Sequence, residues 1–572
     1  MSKTEINIQG CDGSEYVLFP ACAYNGNKFE VLKKDYPPMF STEEARLDMP
    51  VTITDVPRLE KDGGGKIEVT TGDVAAPCVG VFSESIKKAV LVHTVQEIDG
   101  INLGLAYEKG KISITYPAYR EYFYYDTHMH KNDEYADIEA EIPYKVLEFE
   151  CDSIEQFYRV YFENRKVMGL DDSRPQILPF DEQFRIQKKK FNDMNWRDKL
   201  GFYGVGTENS RYQIWQPGWV GGAMSSYALM KLGGELEYRR SVSTLNHLFN
   251  VQGKSGLFYG ICDEDGNVTG DGFDNPGTEN WTLTRKSADC LYFLFKHFAV
   301  MESIPEHFVE GTKKLADRFV TIWKEYGQIG QFADVETGEL IVGGSCSAAI
   351  VSAGLVKASG FFNNEAYLCA AKEIADYFYE NFAKKGYTTG GPGEMLQCPD
   401  SESAFALLES LVVLYEETNE QKWLDYAEFT AHQCSSWVVS YNYKFPEGSE
   451  FARLDMKSVG SVFANVQNKH SAPGICTLSG DSLYKLHKWT NNEMYKELYD
   501  DITLTISQYM STDERPVYSW DAPEKRGKLP QGFICERVNM SDWEGFGRIG
   551  GVFNGSCWCE TSNLLVMADY AE

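Results

Sequence analysis

Glu279, Glu394, Asp400, Glu402, Asp542 and Glu544 stand in three stretches rich in glycine, asparagine and tryptophan, each leading into an apolar run. Carboxylates so placed suit general acid and base chemistry. One can hold its proton through burial or a neighbouring negative charge while another stays ionised. Trp215, Trp219, Trp281 and Trp543 lie in stretches of the same kind and offer flat apolar platforms. In "ANVQNKHSAPG", Asn468, Lys469 and His470 belong to the densest run of hydrogen-bonding side chains in the chain. In "PDSESAF", Asp400 is placed to cap a helix, and Glu402 falls in the first turn, where the helix dipole favours a negative charge. Capping explains Asp400, which leaves Glu402 as the better cavity carboxylate. Upstream, Glu394 sits among glycines that let a backbone approach a ligand closely.

The elements that must position these residues change character once. Up to about residue 170 the texture is β: "GKIEVTT", "CVGVFSE", "KAVLVHTVQ" and "INLGLAYEKGKISITYP" are short runs rich in Val, Ile and Tyr, bounded by turn residues. "YEKGKISI" reads as a hairpin, and the set reads as a β-sandwich with the helix "SIEQFYRVYFENRKVMGL" on its edge. Residues 171–184 read as a linker. Beyond them a near-apolar helix alternates with an amphipathic one, as in "SESAFALLESLVVLYEET" followed by "EQKWLDYAEFTAHQCSSWV". Helices apolar on all sides must be buried, and amphipathic helices cover them. Six such pairs over residues 185–572 predict a double ring, with short turns at one end and long loops at the other. The long loops precede the inner helices, so chemistry belongs at that end. The expected fold class is therefore α+β multidomain, an N-terminal β-sandwich followed by an (α/α)6 toroid.

Length and composition agree. At 572 residues, with 43% hydrophobic and 14% aromatic residues, the chain is long enough for two domains with sizeable cores. A net charge of −29 argues against nucleic acid or an anionic membrane surface as partner. The first residues carry no secretory signature, and the 14 scattered cysteines read as reduced thiols, which points to the cytoplasm. The sequence leaves the oligomeric state open, a homodimer included.

The arrangement resembles the six-hairpin, (α/α)6-barrel glycosidase superfamily. "YQIWQPGWVGGAMSSYALMKLGGELEYRRSVSTLNHLF" resembles the first barrel hairpin of glucoamylase-like enzymes, although their Arg-Asp pair is absent. "TTGGPGEMLQCPDSESAFALLESLVVLYEETNEQKWLDYAE" is similar to a hairpin of bacterial β-L-arabinofuranosidases and unsaturated-uronyl hydrolases. The resemblance implies a glycoside hydrolase acting on oligosaccharides or small glycosides inside the cell. It implies a general acid beside Trp281, where Glu279 stands in the order Glu-Asn-Trp, and a catalytic base before the last inner helix, where Asp542 and Glu544 flank Trp543. One of Glu279, Glu394, Asp400 and Glu402 is then expected to face Asp542 or Glu544. About 6.5–9.5 Å between them would fit inversion, and about 5–5.5 Å retention. Trp215, Trp219, Trp281, Asn468 and His470 are expected to line that one cavity, with Glu394, Asp400, Lys469 and Trp543 also binding the sugar.

Two other readings stay open. A uronate-directed lyase or epimerase would use His470 or a tyrosine as base and Asn468 against the carboxylate; a non-catalytic sugar-binding protein would need no paired carboxylates. No cofactor is expected. Asp263, Asp265, Asp271 and Asp274 suggest calcium, but the EF-hand glycine is misplaced and the final glutamate is missing, so "DEDGN" reads as a hairpin turn. Cys557, Cys559 and Glu560 are too few for a zinc site without a further pair.

Overall fold

Among the described residues, twelve strands come first: β1 (Ser2–Asn7), β2 (Tyr16–Leu18), β3 (Val31–Lys33), β4 (Val51–Ile53), β5 (Ile67–Thr70), β6 (Cys78–Ser83), β7 (Lys88–Thr94), β8 (Glu97–Ile98), β9 (Ile101–Asn102), β10 (Gly104–Glu108), β11 (Lys111–Tyr116) and β12 (Tyr144–Glu150). The computed structural model describes residues 1–34, 39–53, 56–120, 137–205, 214–219, 221–272, 275–390, 397–468, 470–474, 476–519, 527–542, 548–553 and 557–570. Eight of the strands make two antiparallel sheets, ordered β1-β11-β10-β5 and β12-β7-β6-β2. Val79, Val81, Val90 and Val92 of one sheet share a buried cluster with Val69, Leu105, Ile112 and Ile114 of the other. The opposite face of the second sheet contributes Leu18, Cys78 and Leu91 to the main core, beside Phe157 and Tyr158. Because both its faces are covered, β6 reads CVGVFS with every residue buried. Between β10 and β11 the expected hairpin turns at Lys109-Gly110, whose left-handed backbones (φ 45° and 74°) match the twist of the strands.

The helices follow: α1 (Ile154–Asn164), α2 (Phe180–Lys190), α3 (Ala223–Leu232), α4 (Glu235–Asn250), α5 (Thr284–Val300), α6 (Glu306–Tyr326), α7 (Val351–Phe362), α8 (Glu365–Asn381), α9 (Ser401–Thr418), α10 (Gln421–Ser435), α11 (Glu450–Arg453), α12 (Asp481–Thr490), α13 (Glu493–Leu504) and α14 (Trp558–Asp569). Five consecutive hairpins, α3–α4, α5–α6, α7–α8, α9–α10 and α12–α13, are completed by α14, which packs on α2 from the other end of the helical region. Helices α3, α5, α7, α9 and α12 touch in that order, and α14 closes against α3. The structure is thus the six-hairpin toroid, with α2 starting at Phe180, inside the stretch expected as linker.

Inner and outer helices differ as burial requires. Every residue of α9 from Ser401 to Leu414 is buried, whereas α6 buries Phe308, Thr312, Leu315 and Phe319 along one stripe. Three of the short turns share a device. Asn363, Asn419 and Asn491 end α7, α9 and α12 in the left-handed conformation that asparagine tolerates best after glycine. Asn364 and Asn492 then cap α8 and α13 through their side chains. The sheets are tied to the ring at several points. Tyr24 stacks on Trp437 with ring centroids 4.4 Å apart, and the Tyr441 hydroxyl donates to the Thr71 carbonyl at 2.7 Å. Among the described residues, no helix is long and apolar enough to cross a membrane.

Candidate functional site

The inner helices begin at the long-loop end, and two of them place charged side chains together there. Helix α5 starts where Trp281–Leu283, paired with Phe332–Asp334, turns inward, and the Thr284 hydroxyl donates to the Gly330 carbonyl at 2.7 Å. The next residue, Arg285, is buried. Its Nε donates to both oxygens of Asp289, one turn deeper, at 2.8 and 2.9 Å. Its Nη1 stands 3.9 Å from Oε2 of Glu402 on α9. Its Nη2 has no hydrogen-bond partner among the described residues. Burial pushes the Asp289 carboxyl up to about 7, with Arg285 pulling the other way and Glu402 adding repulsion. Lys286 points elsewhere: it pairs with buried Asp271 and donates to the Gly260 carbonyl at 3.0 Å.

On α9 the two acidic residues of "PDSESAF" divide their work. Asp400 is the cap: Oδ1 accepts from the Ser403 amide at 2.7 Å and Oδ2 from the Ser403 hydroxyl at 2.8 Å. Its expected sugar-binding role is corrected accordingly, because a fully buried carboxylate that closes its own helix start offers a ligand no approach. Glu402 makes no hydrogen bond to its own helix's amides and is 8% exposed. The Ser401 amide clips this start to the Ala464 carbonyl at 2.9 Å, which fixes where Glu402 projects from. Cys476 lies alongside, its thiol pushed well up by burial and then by Glu402, on a left-handed backbone with φ 69°.

Most of the other expected residues disperse. Glu279 is exposed, and the amides of its own loop, Gly277 among them, hold its carboxyl below the usual range, the wrong direction for an acid. Asp542 is buried and gripped by Arg120 through both oxygens, at 3.1 and 2.5 Å. It lines a separate cavity of about 330 Å³ with Asn102, Tyr443 and Phe445. Trp215 is sealed in the main core, edge-on to His247 at 4.9 Å. Trp281 belongs to a satellite cluster with Phe40, Met49 and Phe332. Both indoles are packed on protein rather than presented as platforms, since their large apolar area favours burial. Trp219 is also buried, and its indole N–H has no partner among the described residues. His470 is kept neutral, its pKa lowered well below 6.5 by burial and then by Arg537. The Asn468 amide donates to Oδ1 of Asn465 at 2.9 Å. Glu394, Lys469, Trp543 and Glu544 lie outside the described residues.

Of the residues weighed as metal ligands, Asp274 lies outside the described residues. Asp263 closes the expected hairpin turn by accepting from the Asp265 and Asn267 amides at 2.9 Å, and Glu560 is bound to buried Lys190 at 2.5 Å. Among the described residues, no three His, Cys, Asp or Glu side chains converge as metal ligands. Arg285 and Asp289, four residues apart on α5, are not among the residues expected from the sequence. An aspartate inside "SADCLYFLF" was the available signal, since a charge within a helix buried all round must have a partner.

No family model matches the chain, and no curated protein matches it. Solved structures do. A D-mannose isomerase is 11% identical, covering 68% of this chain and 96% of its own, with a TM-score of 0.46. A GH76 α-mannanase of Bacteroides thetaiotaomicron is 12% identical over 68% and 95%, with a TM-score of 0.44. A cellobiose 2-epimerase from Bacillus thermoamylovorans is 12% identical over 68% and 97%, with a TM-score of 0.43.

Proposed function

We propose that the chain is a carbohydrate-active enzyme, and within that class a glycoside hydrolase working in the cytoplasm. Residues 1–170 are read as a β-sandwich domain, 171–184 as a linker and 185–572 as the catalytic toroid. The observation that carries the reading is the mouth itself, where Glu402 keeps its lone pairs free of its own helix while facing the buried Arg285–Asp289 pair. A carboxylate so placed can take a proton from water or give one to a leaving oxygen. Arg285 supplies a fixed positive charge beside it, and Asp289 holds the guanidinium in place. Glu402 is the working carboxylate in this reading. Its partner is sought among the loop residues that lead into the inner helices, Glu394 and Glu544 included.

A second reading, a lyase or epimerase, would call on His470 as base, although the burial that keeps its imidazole neutral also makes it a weak one. Product analysis separates the two. Incubation with a panel of oligosaccharides should release new reducing ends with uptake of water from H₂¹⁸O. An unsaturated, ultraviolet-absorbing product or an isomer without ¹⁸O in a new hydroxyl would reject hydrolysis.

A further inference from the structure

We propose that the mouth between α3, α5 and α9 takes an uncharged, hydroxyl-bearing sugar ring and discriminates against a uronate. This rests on the reading of that mouth as a sugar site. Two donors there lack acceptors among the described residues: Nη2 of Arg285, 4% exposed, and the indole N–H of Trp219, 6% exposed. The chain just before Trp219 packs against the Arg285–Asp289 pair. Trp219 follows Gly218, where an added Cβ would lie 3.2 Å from Cβ of Asp289, the carboxylate that Arg285 grips. A buried N–H without an acceptor is costly, so the ligand must bring oxygen atoms that accept.

The choice of oxygen follows from Glu402. A sugar hydroxyl accepts one hydrogen bond and donates another, so a single hydroxyl can take the N–H of Arg285 and give its own proton to Glu402. With C6 at this position, a neutral sugar's hydroxymethyl can do both, whereas a uronate carboxylate there only accepts and gives Glu402 no donor. Charge points the same way. The guanidinium already faces two carboxylates, Asp289 and Glu402. The neighbouring Lys286 is committed to Asp271, and His470 is neutral. A uronate would bring a further negative group to the one guanidinium, which already faces Glu402.

The test is calorimetry at pH 7 on the full chain with methyl mannoside, methyl glucoside and methyl galactoside, against methyl glucuronide and methyl galacturonide. The expected result is that at least one neutral glycoside binds at least about ten-fold more tightly than its uronate counterpart. Glu402→Gln should narrow that gap by relieving the repulsion. Trp219→Phe, which removes the N–H together with part of the indole's apolar surface, should weaken the best ligand by about three- to ten-fold. Tighter binding of a uronate than of its neutral counterpart overturns the proposal while leaving a sugar site standing, as does a Trp219→Phe variant of unchanged affinity. Binding of no glycoside at all overturns the sugar-site reading itself.

Discussion

Nη1 of Arg285, in the first turn of α5, stands 3.9 Å from Oε2 of Glu402, in the first turn of α9, although α7 lies between the two helices in the ring. The inner helices converge enough at this end for side chains two helices apart to meet. Lower in the ring the same pair of helices meets again, where the Tyr292 hydroxyl donates to Glu409 at 2.5 Å. The upper meeting differs in kind. Glu409 is saturated by Tyr292 and Ser482, whereas Glu402 faces a guanidinium with a donor to spare.

Asp289 holds that guanidinium, so removing its charge should strand a buried cation. Asp289→Asn is expected to lower stability by on the order of 3 kcal/mol and to abolish turnover. Urea unfolding followed by far-ultraviolet circular dichroism checks the first part. A variant as stable as the wild type would show that Glu402 alone neutralises Arg285.

Asp400 should behave as a cap and as nothing more. Asp400→Ala is expected to cost about 1–2 kcal/mol, and Asp400→Asn much less, with KM unchanged in both. Thermal melts alongside initial rates decide it. A normal melting temperature with lost turnover would make Asp400 a working group after all.

Acid should destabilise the fold through its buried histidines. Burial holds the pKa of His93 and His297 at about 4 and that of His432 at about 3, against 6.5 in an exposed ring. These rings are neutral in the fold. Below pH 6.5 the unfolded chain takes up protons that the fold refuses, so their contribution is complete above 6.5 and is lost as pH falls toward 4. Each contributes about 1.4 kcal/mol per pH unit well inside that window. Denaturant midpoints at pH 7, 6 and 5 measure the loss, and His297→Gln should reduce the slope by about one proton. A slope that His297→Gln leaves unchanged would mean that this ring is protonated in the fold.

How much of this is legible in the sequence depends on how local the physics is. The hairpins are legible because a left-handed asparagine at 363, 419 and 491 punctuates three of the five turns, and burial sets the texture of each helix. Asp400 and Glu402 can be told apart because capping involves residues three apart. Arg285 and Asp289 show their i,i+4 spacing in the sequence, yet on a surface helix the same spacing marks a weak solvated pair. Only enclosure of α5 by its neighbours turns it into a buried clamp. The tryptophans mislead for a related reason. What covers Trp281 is Phe40 and Met49, more than 200 residues earlier in the chain, and no local pattern announces that contact.

The central claim is that Glu402 carries the chemistry, and Glu402→Gln tests it most directly, because the amide keeps the shape and removes the titrating group. On an oligosaccharide that the wild-type chain turns over, kcat for the variant is expected to fall at least about 100-fold, with KM and the melting temperature little changed. A kcat within about three-fold of the wild type would contradict the account and move the working carboxylate away from α9.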